Sequence, residues 1–155
     1  MALVSVNIGS NLGDRRLNIS RAVRAISMEF GDFEISHVVE SAPWGFDSTH
    51  SFLNVGLTFE TDLNPEETLR RLQNIEKGIS GKSHRTASGG YTDREIDIDV
   101  ITFDSEVIDL PHLQVPHPRM PQRSFVLQPL AELMPWWRHP LTGLTPFEML
   151  ENLDK

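Results

Sequence analysis

Two kinds of hydrophobic spacing alternate along this chain. Residues 3–8, "LVSVNI", are a strand-type apolar run that ends in the glycine-rich turn "GSNLGD". From Asp14 to Phe30, the residues Ile19, Ala22, Val23, Ile26 and Phe30 recur at helical spacing, and Gly31 is placed to end that helix. "FEISHVVE" (33–40) reads as a strand and 41–51 as a loop. "FLNVGLTFET" (52–61) reads as a further strand, in which Gly56 marks a bulge or a close approach. "NPEETLRRLQNIEKGI" (64–79) opens with Asn64 as N-cap, Pro65 at the first helical position and Glu67 at the third; Leu69, Leu72, Ile75 and Ile79 supply its buried stripe. The loop 80–93 leads into "REIDIDVITF" (94–103), another strand. Beyond "SEVIDL", four prolines in fifteen residues predict mostly irregular chain, then a short helix in "SFVLQPLAEL" and a capped one in "TPFEMLENL".

Up to residue 103 the order is strand, helix, strand, strand, helix, strand. That is the split βαβ pattern of a ferredoxin-like α+β sandwich, an antiparallel sheet with helices packed on one face. No internal repeat and no linker interrupts it, so one domain spanning 1–155 is expected. Such a fold hosts many chemistries, and function must be argued from the site.

Composition narrows the choice. With 39% hydrophobic and 23% charged residues and no cysteine, the chain reads as a soluble globular protein without disulfides, thiolate metal sites or a Cys nucleophile. No apolar run approaches the ~20 residues of a membrane span, and "MALVSVNIGS" lacks the features of a secretory signal. A cytoplasmic setting without a membrane partner is expected. A net charge of −8 argues against nucleic acid as a partner. It leaves room for a small anion, because Lys82, His84, Arg85 and Arg94 fall close together and His117, Arg119 and Arg123 form a second basic group. Two solvated loops are the alternative reading of those runs.

The strand 94–103 carries the candidate chemistry. Asp97 and Asp99 alternate with Ile96, Ile98 and Val100 and so share a face, with Cα atoms ~6.5–7 Å apart. Asp is depleted in strands, and like charges side by side cost stability. Two such carboxylates can converge on Mg²⁺, which favours a few carboxylates together with phosphate oxygens and water. An exposed edge strand, charged to deter aggregation, would also show D-x-D. Ile101 and Phe103, which continue the same alternation, argue against a solvated face. "GSNLGDR" lacks the G-K-[ST] ending of a phosphate loop, so Gly9 and Gly13 read as a tight strand-to-helix turn. The six histidines include no H-E-x-x-H pair, and there is no G-x-S-x-G elbow.

Seven ordered blocks resemble the 6-hydroxymethyl-7,8-dihydropterin pyrophosphokinase family: "GSNLGDR" (9–15), "SAPWG" (41–45), "FLN" (52–54), "QNIE" (73–76), "DREIDIDV" (93–100), "VPHPRM" (115–120) and "RSFVLQPLAEL" (123–133). The resemblance implies the ferredoxin-like fold and transfer of the terminal pyrophosphoryl group of ATP to the pterin's hydroxymethyl oxygen, with release of AMP. It implies two Mg²⁺ ions on Asp97 and Asp99, with Arg94 beside the transferring phosphates; in the divergent loop 80–93, Lys82, His84 or Arg85 would take over the remaining phosphate contacts. Phe52 and Phe125 would sandwich the pterin. Asn54 and the backbone around Ser41, Ala42 and Trp44 would hold its edges. Gln73, Glu76, Lys82, Arg94, His117 and Arg123 would bind ATP. His117, between two prolines, suits holding a phosphate better than shuttling a proton. Each residue has a plainer reading: core packing for the two phenylalanines, a surface ion pair for Arg94 and an exposed helix position for Glu76. Asn54 resists one, because a buried amide needs partners.

The segment "HRTASGGYTDRE" departs from the family's better-known version, which carries an Arg-Trp pair and a Gly-Pro before the arginine matched by Arg94. "HPRM" likewise replaces an aromatic after the histidine with Pro118. A ligand-sensing domain of this topology and a divalent-metal phosphohydrolase are the rival functions. The carboxylate pair speaks against the first, and pterin-dependent AMP formation would separate all three. The substrates expected are small molecules, and the oligomeric expectation is a monomer. Arg85→Ala should slow pyrophosphoryl transfer while pterin binding stays nearly intact; unchanged turnover would remove Arg85 from the site.

Overall fold

The computed structural model describes residues 1–41, 51–80 and 95–154. Strand β1 (Ala2–Ser10) leads into helix α1 (Arg15–Phe30), followed by β2 (Phe33–Ile35), β3 (Val39–Ser41) and β4 (Phe52–Thr61). Helix α2 (Pro65–Ser80) and strand β5 (Asp97–Phe103) complete the split βαβ order. A hairpin of β6 (Ile108–Leu110) and β7 (Leu113–Val115), a 3-10 turn at Met120–Gln122, and helices α3 (Ser124–Leu133) and α4 (Pro146–Leu153) follow.

The main sheet has the order β2-β4-β1-β5, with β3 pairing β4 beside β2, and every pairing is antiparallel. This is the expected ferredoxin-like arrangement. The helix ends follow the sequence signals. The Asp14 side chain accepts from the Leu17 N–H at 3.1 Å, Asn64 Oδ1 accepts from Glu67 N–H at 2.8 Å, and Thr145 with Glu148 closes a full capping box on α4. Gly31, at φ +91°, ends α1 in a conformation that glycine adopts without strain.

One sheet face is mainly apolar. Val4, Val6, Ile8, Leu53, Val55, Leu57, Phe59, Ile98, Val100 and Phe103 are buried there with Ile19, Ala22, Ile26 and Leu72 of α1 and α2. Phe30 and Phe59 stack with ring centroids 4.2 Å apart. Burying such side chains contributes about 1.5–3 kcal/mol each. The other face is covered as well, which differs from the one-sided packing expected. Helix α3 lies on it, with α4 behind, around Ile101, Val126, Leu127, Leu130 and Met149.

Three further departures have local causes. The strand expected at 33–40 divides because the buried Ser36 takes over the ladder: its Oγ accepts from Gly56 N–H at 2.8 Å, and its N–H donates to Gly56 O at 2.9 Å. Phe103 leaves the face of Asp97 and Asp99, because the register with β1 slips between Ser5 and Val6 and makes Ile101 an extra residue. Thr102 and not Phe103 therefore sits on the α3 side, its Oγ1 2.6 Å from Ser5 Oγ. The proline-rich stretch begins with the β6–β7 hairpin, whose three-residue strands are too short for alternation to reveal.

Gly56 is the close approach that its place in a strand predicts. A Cβ there would lie 2.6 Å from Pro129 Cβ. Gly56→Ala should lower the unfolding free energy by about 1–3 kcal/mol through overpacking of α3 on β4, read as a lower urea midpoint at unchanged slope.

Candidate active site

The α3 side of the sheet is polar at one end. Register places Gly9 of β1 opposite Asn54 of β4 on one side and Asp97 of β5 on the other. The next rung of that face joins Gly56, Asn7 and Asp99 in the same way. At ~4.8 Å between strands, Asn54 and Asp97 stand roughly 10 Å apart across a position with no side chain. Gly9 therefore opens a floor between them. This is not the tight-turn role read from the sequence: Gly9 lies within β1, and Gly13 (φ +67°) makes the turn. A Cβ at Gly9 would meet Asn54 Oδ1 at 3.0 Å and the Phe52 ring at 3.4 Å.

Asn54 is buried and held on one side. Its Nδ2 donates to Ser41 Oγ at 2.8 Å and to Val39 O at 3.3 Å, which leaves Oδ1 towards the Gly9 floor. Phe52 is half-buried at the start of the same strand, two residues away on the same face. Phe125 is half-buried in the first turn of α3, with the Arg123 guanidinium carbon 5.6 Å from its ring centroid. Arg123 itself is buried at the N-cap of α3, where a cation opposes the helix dipole. Such a placement sacrifices stability and suits an arginine that serves an anion. Ser41, Phe52, Asn54, Phe125 and Arg123 thus share one sheet face and its helix.

Asp97 and Asp99 are half-buried on β5, facing the same side. Among the described residues no group of three or more His, Asp or Glu side chains converges into a metal cage. A pair of hard oxygen donors fits a divalent ion that completes its shell with phosphate oxygens and water.

A cleft of about 280 Å³ opens beside Asp99, lined by Gln73 and Glu76 of α2, Ile98, the β6–β7 hairpin and His117. Glu76 is not the exposed helix residue of the plainer reading. It is half-buried, and its carboxylate accepts the Ile98 N–H at 2.6 Å, tying α2 to the aspartate-bearing strand. The loop carrying His117 is tied to that strand too, by His117 N–H to Ile101 O at 2.8 Å. Burial, reinforced by the charges of Arg123 and Arg119, pulls the His117 imidazole down to a pKa of about 4. It is therefore neutral near pH 7. Its Nδ1 accepts the Arg119 N–H at 3.2 Å, so the ring proton resides on Nε2. A neutral donor of this kind can bind an oxygen and makes a poor base.

Ala42, Trp44, Lys82, Arg85 and Arg94 lie outside the described residues, as does His84. Sequence reading passed over Asn7, whose amide sits in an apolar strand as Asn54 does. It also passed over the hairpin wall Pro111–Gln114.

In sequence and fold the chain is similar to known proteins. A family model described as 7,8-dihydro-6-hydroxymethylpterin-pyrophosphokinase matches residues 5–135. The chain is 39% identical over 138 residues to the 2-amino-4-hydroxy-6-hydroxymethyldihydropteridine pyrophosphokinase of Porphyromonas gingivalis, covering 88% of this chain and 93% of that one. It is 41% identical over 142 residues to the enzyme of the same name from Aquifex aeolicus, covering 91% and 86%. Among solved structures, Plasmodium falciparum HPPK-DHPS is similar in fold, with a TM-score of 0.77 at 14% identity over 98% of this chain. This chain spans 43% of that longer one. Fold and sequence together define a pyrophosphokinase. The chain belongs to the 7,8-dihydro-6-hydroxymethylpterin-pyrophosphokinase family.

The depressed His117 pKa has a signed consequence. The folded state disfavours the protonated ring, so His117's contribution to stability is present above pH 6.5 and is lost as pH falls towards 4. The His117 ring resonance should stay flat from pH 8 to about 5.5 and move near pH 4, while the urea midpoint declines between pH 6.5 and 4. A ring titrating at its ordinary value would contradict this environment.

Proposed function

We propose that these 155 residues act as one catalytic domain, a cytoplasmic monomer that moves the terminal pyrophosphoryl group of ATP to 6-hydroxymethyl-7,8-dihydropterin and releases AMP. Among the described residues no helix is long and apolar enough to cross a membrane. The observation that carries the reading is the single face shared by Asn54, Gly9, Asp97 and Asp99. Such a face supports a slot for a flat heterocycle beside a carboxylate pair suited to a metal–nucleotide complex.

In this reading Phe52 and Phe125 sandwich the pterin, an arrangement worth ~0.5–1.5 kcal/mol per ring pair beyond area burial. Asn54 Oδ1 accepts from the pterin's amide edge. The backbone near Ser41, Ala42 and Trp44 closes the slot. Asp97 and Asp99 would hold two Mg²⁺ ions. When bound, the ions neutralise polyphosphate charge and acidify the attacking hydroxyl. Gln73 and Glu76 take the nucleoside end of ATP in the cleft, and His117 Nε2–H donates to a phosphate oxygen. Arg123, Arg94, Lys82 and Arg85 balance phosphate charge as the leaving AMP separates. The protein contributes alignment and charge, and no covalent intermediate is needed.

The test is direct. ATP, Mg²⁺ and the hydroxymethyl dihydropterin should yield AMP, and omission of the pterin or chelation of the metal should stop it. Asp97→Asn and Asp99→Asn should each lower turnover by about two orders of magnitude, the scale of losing a preorganised electrostatic contact. Phosphate release without pterin would favour a hydrolase, and absence of turnover a sensor.

A further inference from the structure

Helix α3 contains Pro129 in its interior. In a regular α-helix the carbonyl of Phe125 would accept from the amide four residues on, and that residue is Pro129, which has no N–H. The structure supplies a substitute from the sheet. Asn7 Nδ2 donates to Phe125 O at 3.1 Å, across 118 residues of sequence. Asn7 is 6% exposed, so its amide is committed to such contacts. Its register partner on β4 is Gly56, the residue whose missing side chain admits Pro129. Asn7, Gly56, Pro129 and Phe125 therefore form one device. The glycine lets the proline seat, the proline frees the carbonyl, and the asparagine captures it.

We propose that Asn7 is a positioning residue for pterin recognition. Phe125 stands in the first turn of α3, where only the downstream amides hold the backbone carbonyls. Fastening its carbonyl to β1 fixes the height and tilt of the ring above the same sheet face that carries Asn54. The ring that covers the pterin slot and the amide that reads the pterin edge are then referred to one rigid strand. This inference rests on the pterin-binding reading above.

The experiment is binding of 6-hydroxymethyl-7,8-dihydropterin and, separately, of Mg²⁺–ATP to the full chain by titration calorimetry. Wild type, Asn7→Ala, Pro129→Ala and the double variant are compared, with thermal melts beside them. Asn7→Ala should weaken pterin binding about ten-fold, the scale of one buried hydrogen bond that orients a stacking ring. Binding of ATP should change less than about two-fold. Pro129→Ala restores a backbone donor four residues beyond Phe125, so in that background the same Asn7→Ala change should cost about two-fold or less. A merely structural role would lower the melting temperature without this ligand split or this rescue.

Equal loss of pterin and ATP affinity, equal loss in both backgrounds, or pterin affinity unchanged in Asn7→Ala would each overturn the inference. If Asn7→Ala does not fold alone, the double variant against Pro129→Ala decides. A wild-type chain that binds ATP but no pterin would defeat the functional reading and this inference with it.

Discussion

Everything else in the molecule depends on the double pairing of β1. From Ala2 to Ser10 it is laddered to β4, and from Val4 to Gly9 it is laddered to β5 as well. A strand bonded on both edges cannot slide without breaking two ladders and turning every side chain to the wrong face. The register is what brings residues 54, 9 and 97 into one rung, although almost ninety positions separate the first contributor from the last. The bulge at Ile101 is placed with the same economy. It lies beyond the two aspartates, so the strand turns its next aromatic into the core without disturbing them.

The two faces of this sheet carry different loads. Towards α1 and α2 the strands present mainly aliphatic and aromatic residues, with Ser10 and Thr61 at the strand ends, and the stacked Phe30 and Phe59 lie in that layer. Towards α3 they present Ser5, Asn7, Asn54, Thr58 and Thr102, all buried and polar, with the half-buried Asp97 and Asp99. Buried polar groups cost stability unless each finds a partner. Partners are found for several: Ser5 with Thr102, Asn54 with Ser41 and Val39, and Asn7 with Phe125. One face stabilises the fold, and that surplus lets the other carry the buried polar residues of the candidate site.

How much of this was legible in advance follows from the range of the forces involved. Helix caps are local, so Asn64 and Thr145 announced their helices from a few letters each, and the two like charges of D-x-D pointed to a candidate site by being unfavourable. The strand order followed from the order of elements. The split of 33–40 could not be read, because it depends on Ser36 meeting Gly56, twenty residues away. Nor could the reversal of Phe103, since a bulge is a relation between two strands and not a property of one. Glu76 looked like any surface glutamate until β5 placed the Ile98 amide against it.

Asn7 shows why such residues escape a motif search. Its partner is a main-chain carbonyl, and the reason the carbonyl needs a partner is a proline four residues along. No pair of side chains carries the signal. Read as chemistry, however, the pieces are each visible: an amide in an apolar strand, a glycine inside a strand and a proline inside a helix. Each is locally unfavourable. Locally unfavourable choices that meet in space are mutually compensating, and here they meet under an aromatic ring at the edge of the candidate slot. The same reasoning covers the buried Arg123 at a helix N-terminus and the paired aspartates on a strand. Residues that weaken their own element gather on one side of one sheet, and that concentration, more than any single contact, is what singles out this face as the floor of the candidate site.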